Sequence, residues 1–382
     1  MKERPRFRKD NVFVQEYWVN VKADVERLFS NTKKKKVGGM KIKIKTLIFY
    51  TILITGLYVL YVHGATLPWW QVLLIYTLIC APMGAFIGMN TMHEGSHGTF
   101  SSKKWLNSVA TWSNVLFVGG LPINWKVEHV DLHHPFTNIY GIDEDFSSAE
   151  KFILFNRFSK WLKVHRKQEK WYYIFLIYCQ MTLSWIFLTD IGQTIRYLKL
   201  KKHGFIKKYP KAYLAWTYVI CAKLFVFFFW VYIPIVWTGI SGWLVVSGFI
   251  VMHQVMGMIL SHIFQPAHIN EYTGKYSNED LLSHSWHTHQ FLTSIDFAVN
   301  SPIVTELSGG LNYQKPHHLF HGITHQHYPE ILQIMHKHFQ SMKQKHGDKF
   351  TLVCTEFTTL REAIVNNYSH VKSHAVPISF EV

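Results

Sequence analysis

Residues 72–98 read VLLIYTLICAPMGAFIGMNTMHEGSHG: an uncharged apolar run over 72–92, followed at once by two histidines four residues apart. A bilayer core of about 30 Å is crossed by roughly 20 apolar residues in helix, and 72–92 supplies them. Three more runs do the same: 46–62 (TLIFYTILITGLYVLYV), 213–236 and 240–262. The first two are joined by a short turn containing Pro68, Trp69 and Trp70, the last two by Thr238 and Gly239. Each pair reads as a helical hairpin, so the expected fold is an all-α integral membrane protein with four transmembrane helices.

Composition agrees with that expectation. Of 382 residues, 48% are hydrophobic and 16% aromatic while 17% are charged, which excludes a disordered chain and disfavours a soluble globule. Cys80, Cys179, Cys221 and Cys354 have no paired spacing, so neither a disulfide framework nor a CxxC zinc site is expected. Forty Lys+Arg against 24 Asp+Glu give a net charge of +16. Much of the excess lies before the first run, from Lys2 through Lys33, Lys34, Lys35 and Lys36 to Lys45, whereas the two inter-helix turns carry no Lys or Arg. By the positive-inside rule both termini and the middle of the chain are expected to be cytoplasmic. The lysine run then reads as a topology determinant rather than a nucleic-acid patch, and no nucleic-acid partner is expected. The charged first 45 residues do not form a cleavable signal.

The expected organisation is linear: a basic cytoplasmic arm (1–45), hairpin one (46–92), a cytoplasmic segment with in-plane helices (93–212), hairpin two (213–262) and a cytoplasmic C-terminal domain (263–382). Runs 106–121 and 171–188 are interrupted by polar residues and are read as in-plane or buried in the cytoplasmic part. Lys223 falls inside the third run, where a charge is expensive, and is expected to snorkel to the boundary. His253 is left between helix packing and a weaker alternative, a polar contact with a substrate.

Histidine is the unusual residue, 24 of 382. Four groups stand out: HEGSH with His93 and His97, HVDLHH with His129, His133 and His134, FQPAH with His268, and QKPHH with Gln314, His317 and His318. On an α-helix residues i and i+4 share a face, so His93/His97 and His129/His133 are each expected to converge on one point. Adjacent histidines point about 100° apart and reach two centres better than one. Together these groups read as a cage for two metals in a cytoplasmic helical cap. Imidazole alone does not choose among zinc, copper, iron and nickel, and the Glu-x-x-His pattern of soluble di-iron bundles does not appear. His336, His338, His346, His370 and His374 are expected to be solvated. His325, His327, His284, His287 and His289 are left without a role.

At these groups the chain resembles the membrane fatty acid desaturases. The three histidine boxes of that family match His93–His97, 129–134 and 314–318 in order and spacing. TNIYGIDEDF after the second box, FQPAH, and GGLNYQ before the third match as well, and Gln314 is similar to the front-end, linoleoyl-CoA-type branch. The resemblance implies that His93, His97, His129, His133, His134, His268, His317 and His318 bind two iron ions, with Gln314 as a ligand or an orienting group. It implies O2 as co-substrate and an acyl-CoA or acyl-lipid substrate drawn from the bilayer. Lys315-Pro316 and His321 depart from the family pattern. No HPGG haem motif occurs, so electrons are expected from a separate ferredoxin or cytochrome b5 type of protein.

The function expected is therefore insertion of a double bond into an acyl chain. Two other classes fit parts of the pattern. An acyl hydroxylase, or another lipid oxygenase, would use the same cage. A histidine-rich metal transporter would need its ligands near the bilayer midplane, where His253 stands alone.

Overall fold

The computed structural model describes residues 4–147, 149–277 and 282–377; Lys2 of the basic arm lies outside them. The chain is almost wholly helical, its one sheet among the described residues being the parallel pair of two-residue strands Asp296–Phe297 and Glu356–Phe357. Four helices are long and apolar enough to cross a membrane: Met40–His63, Trp69–His97, Ala212–Val236 and Gly242–His268. All four expected runs are helical, and three extend further than their apolar residues. Trp69–His97 carries the first histidine box on the end of the span itself, stopping where Gly98 turns left-handed at φ 74°. Gly242–His268 likewise continues past Pro266 to His268. Polar residues do not break a helix whose hydrogen bonds are already propagating.

Two of these helices widen into π-helical turns just before a proline: Ile75–Cys80 before Pro82, and Phe228–Tyr232 before Pro234. Proline has no N–H, and its ring clashes with the carbonyl one turn back; a widened turn absorbs both defects. Residues 171–188 are more regular than expected. Trp171–Cys179 and Met181–Lys202 meet at a 42° bend and together have the length and composition of a broken span or re-entrant pair.

Chain contacts define two compact units, each discontinuous in sequence. One, the span unit, comprises Gly39–Val127 and Phe175–His262; the other, the histidine unit, comprises Met1–Gly38, Glu128–Ile174 and Ile263–Val382. The linear blocks expected from sequence do not coincide with them.

In the span unit, helix Lys104–Val118 packs on the first-box helix at Gly95, where a Cβ would come within 2.7 Å of the Ala110 Cβ and the Asn107 carbonyl. Only glycine permits that approach. Lys223 does not snorkel. Its ammonium is ion-paired with Asp190 at 2.5 Å and donates to the Val118 and Trp185 carbonyls, each at 3.0 Å. A charge beyond easy reach of water is held by a counter-charge and two carbonyls. His253 is buried against Phe249, its Nδ1 3.2 Å from the Thr182 hydroxyl, which is helix packing, the first of its two readings.

In the histidine unit, the basic arm contains a structural helix. Val12–Ser30 is capped by the Asn11 carboxamide, whose oxygen accepts from the Phe13 and Val14 amides. Tyr17, Trp18, Val21 and Val25 recur on one face and enter a core with Ile331, Leu332 and Met335 of helix Tyr328–His346. The C-terminal histidines expected in solvent are instead paired or packed. His338 meets Asp24 at 2.9 Å, His346 packs at a tilt against Phe13 and lies 3.4 Å from Glu16, and His336 pairs with Glu356. His374 is 8% exposed and lies against His370. A helix with histidines on its polar edge finds the carboxylates of the neighbouring layer, an event with no local sequence signature.

Candidate metal centre

The second box lies in a π-helical segment, Lys126–His133, rather than in ordinary α-helix. Hydrogen bonds running i to i+5 change which histidines meet. The Nε2 atoms of His129 and His134, five residues apart, are 3.2 Å from each other. His129 and His133 are instead stacked side by side with ring centroids 5.5 Å apart, so the convergence expected of an i,i+4 pair is replaced by an i,i+5 one. His93 and His97, in the span unit, do approach as expected, with ring centroids 4.7 Å apart.

The third box forms the buried helix Gln314–Leu319. With the second box and the end of the fourth long helix it assembles two groups of donor atoms. His133, His268 and His318 offer ligand nitrogens within 4.8 Å of one another; His134, His317 and His318 form a second such group. The adjacent pair His133/His134 falls in two different groups, and His318 is common to both. All five rings are buried.

Four of the five rings are held by groups that sequence reading did not assign. His133 Nδ1 donates to the Asp143 carboxylate, 3.1 Å from both oxygens, and Asp145 stands 3.6 Å away. His268 Nδ1 donates to the Thr293 carbonyl at 2.9 Å, and His318 Nδ1 donates to the Gln290 side-chain oxygen at 2.9 Å. His317 Nδ1 lies 3.1 Å from the Tyr328 hydroxyl. With Nδ1 so engaged, Nε2 is the nitrogen that can ligate, and the ring cannot rotate; carboxylate and carbonyl partners of this kind are what metal-binding histidines have. Burial works against charge on His133, but Asp143 and then Asp145 outweigh it and hold the ring above its ordinary value. Asp143 itself is anchored by the Asn138 amide at 2.7 Å. That same negative potential favours a bound cation.

Gln314 is 1% exposed; its amide donates to the Leu311 carbonyl at 2.7 Å, and its side chain reaches the His268 ring. The sequence departures in this box also acquire places. Lys315 is 2% exposed, with its ammonium donating to the Thr355 carbonyl at 2.6 Å and facing Asp296 at 3.4 Å. His321 packs on His134, ring centroids 5.0 Å apart. His289 is buried but its Nε2 donates to the Thr137 carbonyl at 2.8 Å, while His284 donates to its Nδ1; both nitrogens are therefore used in support. His287 packs on Trp18, and His327 meets the Lys35 carbonyl at 3.1 Å. Asp143 carried a signal after all: GIDED is a dense acidic stretch in a chain of net charge +16.

Buried imidazoles in two groups, most of them fixed from behind by a carboxylate, a carbonyl or a carboxamide, have the donors to hold metal, in a chain with helices of membrane length. Residues 67–347 match the family model described as fatty acid desaturase, and the chain belongs to that family. It is similar to an sn-1 linoleoyl-lipid 6-desaturase of Arthrospira platensis, 28% identical over 310 residues that cover 80% of each chain. It is also similar to an acyl-lipid (8-3)-desaturase of Physcomitrium patens, 24% identical over 94% of this chain and 71% of the relative. A second linoleoyl-lipid 6-desaturase, from Synechocystis, is 27% identical over 77% of this chain and 78% of its own. The protein is an acyl desaturase, an oxidoreductase of the front-end-like branch. Its family generally uses iron, and its histidine groups have the donors to hold metal.

Proposed function

We propose that this chain desaturates the acyl groups of membrane lipids at a centre of two iron ions, using O2 and electrons from a separate donor protein. The observation that carries the reading is the pair of three-histidine groups sharing His318, with His133, His268, His317 and His318 oriented from behind. His133, His134, His268, His317 and His318 are the ligands on that ground. His93, His97 and His129 are added on the chemistry of the first two boxes, with Gln314 beside His268 as a ligand or orienting group. Oxidising power toward an unactivated C–H bond, which no side chain has, is what iron and O2 bring.

The chain's own part is to hold and to exclude. Asp143, Gln290, Tyr328 and the Thr293 carbonyl fix ring orientation, and Asp143 offsets the positive charge that neutral imidazoles leave uncompensated. Burial of the ligand rings keeps water from a reactive carbon centre. An acyl-lipid substrate is supported by the names of the similar proteins and by four helices of membrane length. The surplus of basic residues suits an acidic donor, a ferredoxin or a cytochrome of the b5 type. The short uncharged turns support two helical hairpins, and the charge bias supports both termini on the cytoplasmic side.

The test is co-expression with an electron donor, followed by gas chromatography of total fatty acids and iron analysis of the purified protein. New unsaturated chains are expected, first in intact lipids rather than in the coenzyme A pool. His318→Ala, which removes the shared ring, is expected to abolish them and to lower iron below that of the parent. Unchanged fatty acids from iron-loaded protein with a working donor would overturn the proposal. A hydroxylated product would move it to the oxygenase alternative.

A further inference from the structure

A second cluster of donor side chains lies outside the histidine boxes. His336 is on helix Tyr328–His346, while Cys354 and Glu356 precede and begin the short strand Glu356–Phe357. Residues two apart on extended backbone point to the same side, so the thiol and the carboxylate both face His336. The three donor atoms lie within 4.8 Å of one another. Cys354 Sγ is 3.9 Å from Glu356 Oε1, and His336 Nε2 is in ion-pair contact with that same oxygen.

From this geometry we infer that His336, Cys354 and Glu356 form a second metal site, taking a single zinc-like divalent cation and distinct from the desaturation centre. Ligands at about 2.0–2.3 Å in a tetrahedron stand roughly 3.5 Å apart, near the 3.9 Å between Cys354 Sγ and Glu356 Oε1, while His336 and Glu356, now in direct contact, would move apart to admit the ion. Thiolate, carboxylate and neutral imidazole bring two negative charges to a dication, so the filled site is neutral. An ion pair alone explains His336 with Glu356 but gives no reason for a thiol in reach of both. The cluster already stabilises a positive charge: hydrogen bonding to Cys354, then to Glu356, holds the His336 ring pushed up to about 10. A bound cation would take the place of that proton. His336 and Glu356 keep 39% and 25% of their side-chain surface, which leaves room for a water as fourth ligand. The neighbouring Lys315 charge is balanced by Asp296.

The site's place suggests what it is for. Thr355, between the two strand ligands, accepts from the Lys315 ammonium at 2.6 Å, and Lys315 follows Gln314 in the third box. A cation joining helix Tyr328–His346 to residues 354–356 would clamp the strand on which the third box rests.

The experiment uses chelator-washed full-length protein in detergent and Co2+ as probe. One equivalent is expected to give a thiolate-to-cobalt charge-transfer band that Zn2+ displaces; the histidine groups contain no cysteine and cannot produce it. Cys354→Ser is expected to abolish the band, and His336→Gln to weaken Co2+ binding by at least about tenfold. No band in the parent, or an undiminished band in Cys354→Ser, overturns the inference. A variant-free readout stands beside it. Alkylation of Cys354, followed by peptide mass spectrometry, is expected to slow at least about tenfold in Zn2+, and an unchanged rate overturns the inference. None of these readouts depends on fatty acid desaturation, so this site and the proposed reaction fail separately.

Discussion

Each unit buries a lysine against an aspartate, and the two pairs are built differently. In the span unit the Lys223 ammonium has three acceptors, Asp190 and the carbonyls of Val118 and Trp185, while the other Asp190 oxygen meets Asn124 Nδ2 at 3.4 Å. The pair ties three helices together, Lys104–Val118, Met181–Lys202 and Ala212–Val236. In the histidine unit the carboxylate does the gripping: Asp296 accepts the backbone N–H of Lys315 at 2.9 Å and faces its ammonium at 3.4 Å. The Lys315 charge also lies 5.3 Å from the Phe291 ring centroid. Burial opposes charge on Lys315, yet Asp296 above all keeps the ammonium above its ordinary value. The first pair neutralises a charge inside a membrane-length helix. The second fixes the backbone between Gln314 and His317. Similar chemistry serves stability in one place and ligand geometry in the other.

The largest effects come from removing one partner, because an uncompensated buried charge costs about 3–5 kcal/mol. Asp190→Ala and Asp296→Ala are both expected to lose stability on that scale, read as thermal unfolding in detergent. They should differ in iron per folded molecule: unchanged for Asp190→Ala, reduced for Asp296→Ala, whose loss releases the third box. Equal iron loss in both variants would erase the distinction.

Replacing both partners with apolar side chains sharpens it. Lys223→Met with Asp190→Leu removes the charges together and leaves the Leu121 N–H and Asn124 Nδ2 without this acceptor; it is expected to cost about 1–3 kcal/mol, less than Asp190→Ala alone, with desaturation retained. Lys315→Met with Asp296→Leu also removes both charges but leaves the residue 315 N–H buried without its acceptor, at a cost of about 1–3 kcal/mol. Desaturation should fall in that pair even where the protein folds. Full activity there would mean that the carboxylate matters only as a counter-ion.

The same contrast explains what could be read without the structure. Four membrane-length helices and the histidine groups follow from period and spacing, because an apolar run or an adjacent pair of rings is a local property. Asp143 behind His133, Gln290 behind His318 and Tyr328 behind His317 join residues 10, 28 and 11 positions apart, and nothing in either segment names its partner. The π-helical second box was hidden for another reason. Helix widening exchanges i,i+4 for i,i+5 convergence without any change of residue type, so His129 found His134 rather than His133. Lys223 misled because snorkelling is a solution for a helix end facing water, whereas Asp190, 33 residues earlier, supplied a nearer one.

An ion pair open to water gives the smallest effect and sets the scale for the two buried ones. In metal-free protein, His336 is raised from 6.5 to about 10 by Cys354 and Glu356. A histidine whose folded value is raised contributes stability in full below its unfolded value, and loses it as pH climbs toward the folded one. The gap in melting temperature between the parent and His336→Gln is therefore expected to be widest near pH 6 and to close toward pH 10. Half-exposed pairs are screened by salt, so the gap should also shrink with ionic strength, whereas the deficit of Asp296→Ala should not. Zn2+ would reverse the pH trend, because a metal needs the neutral ring: with the ion present, the parent's advantage over His336→Gln should grow as pH rises from 6 to 8.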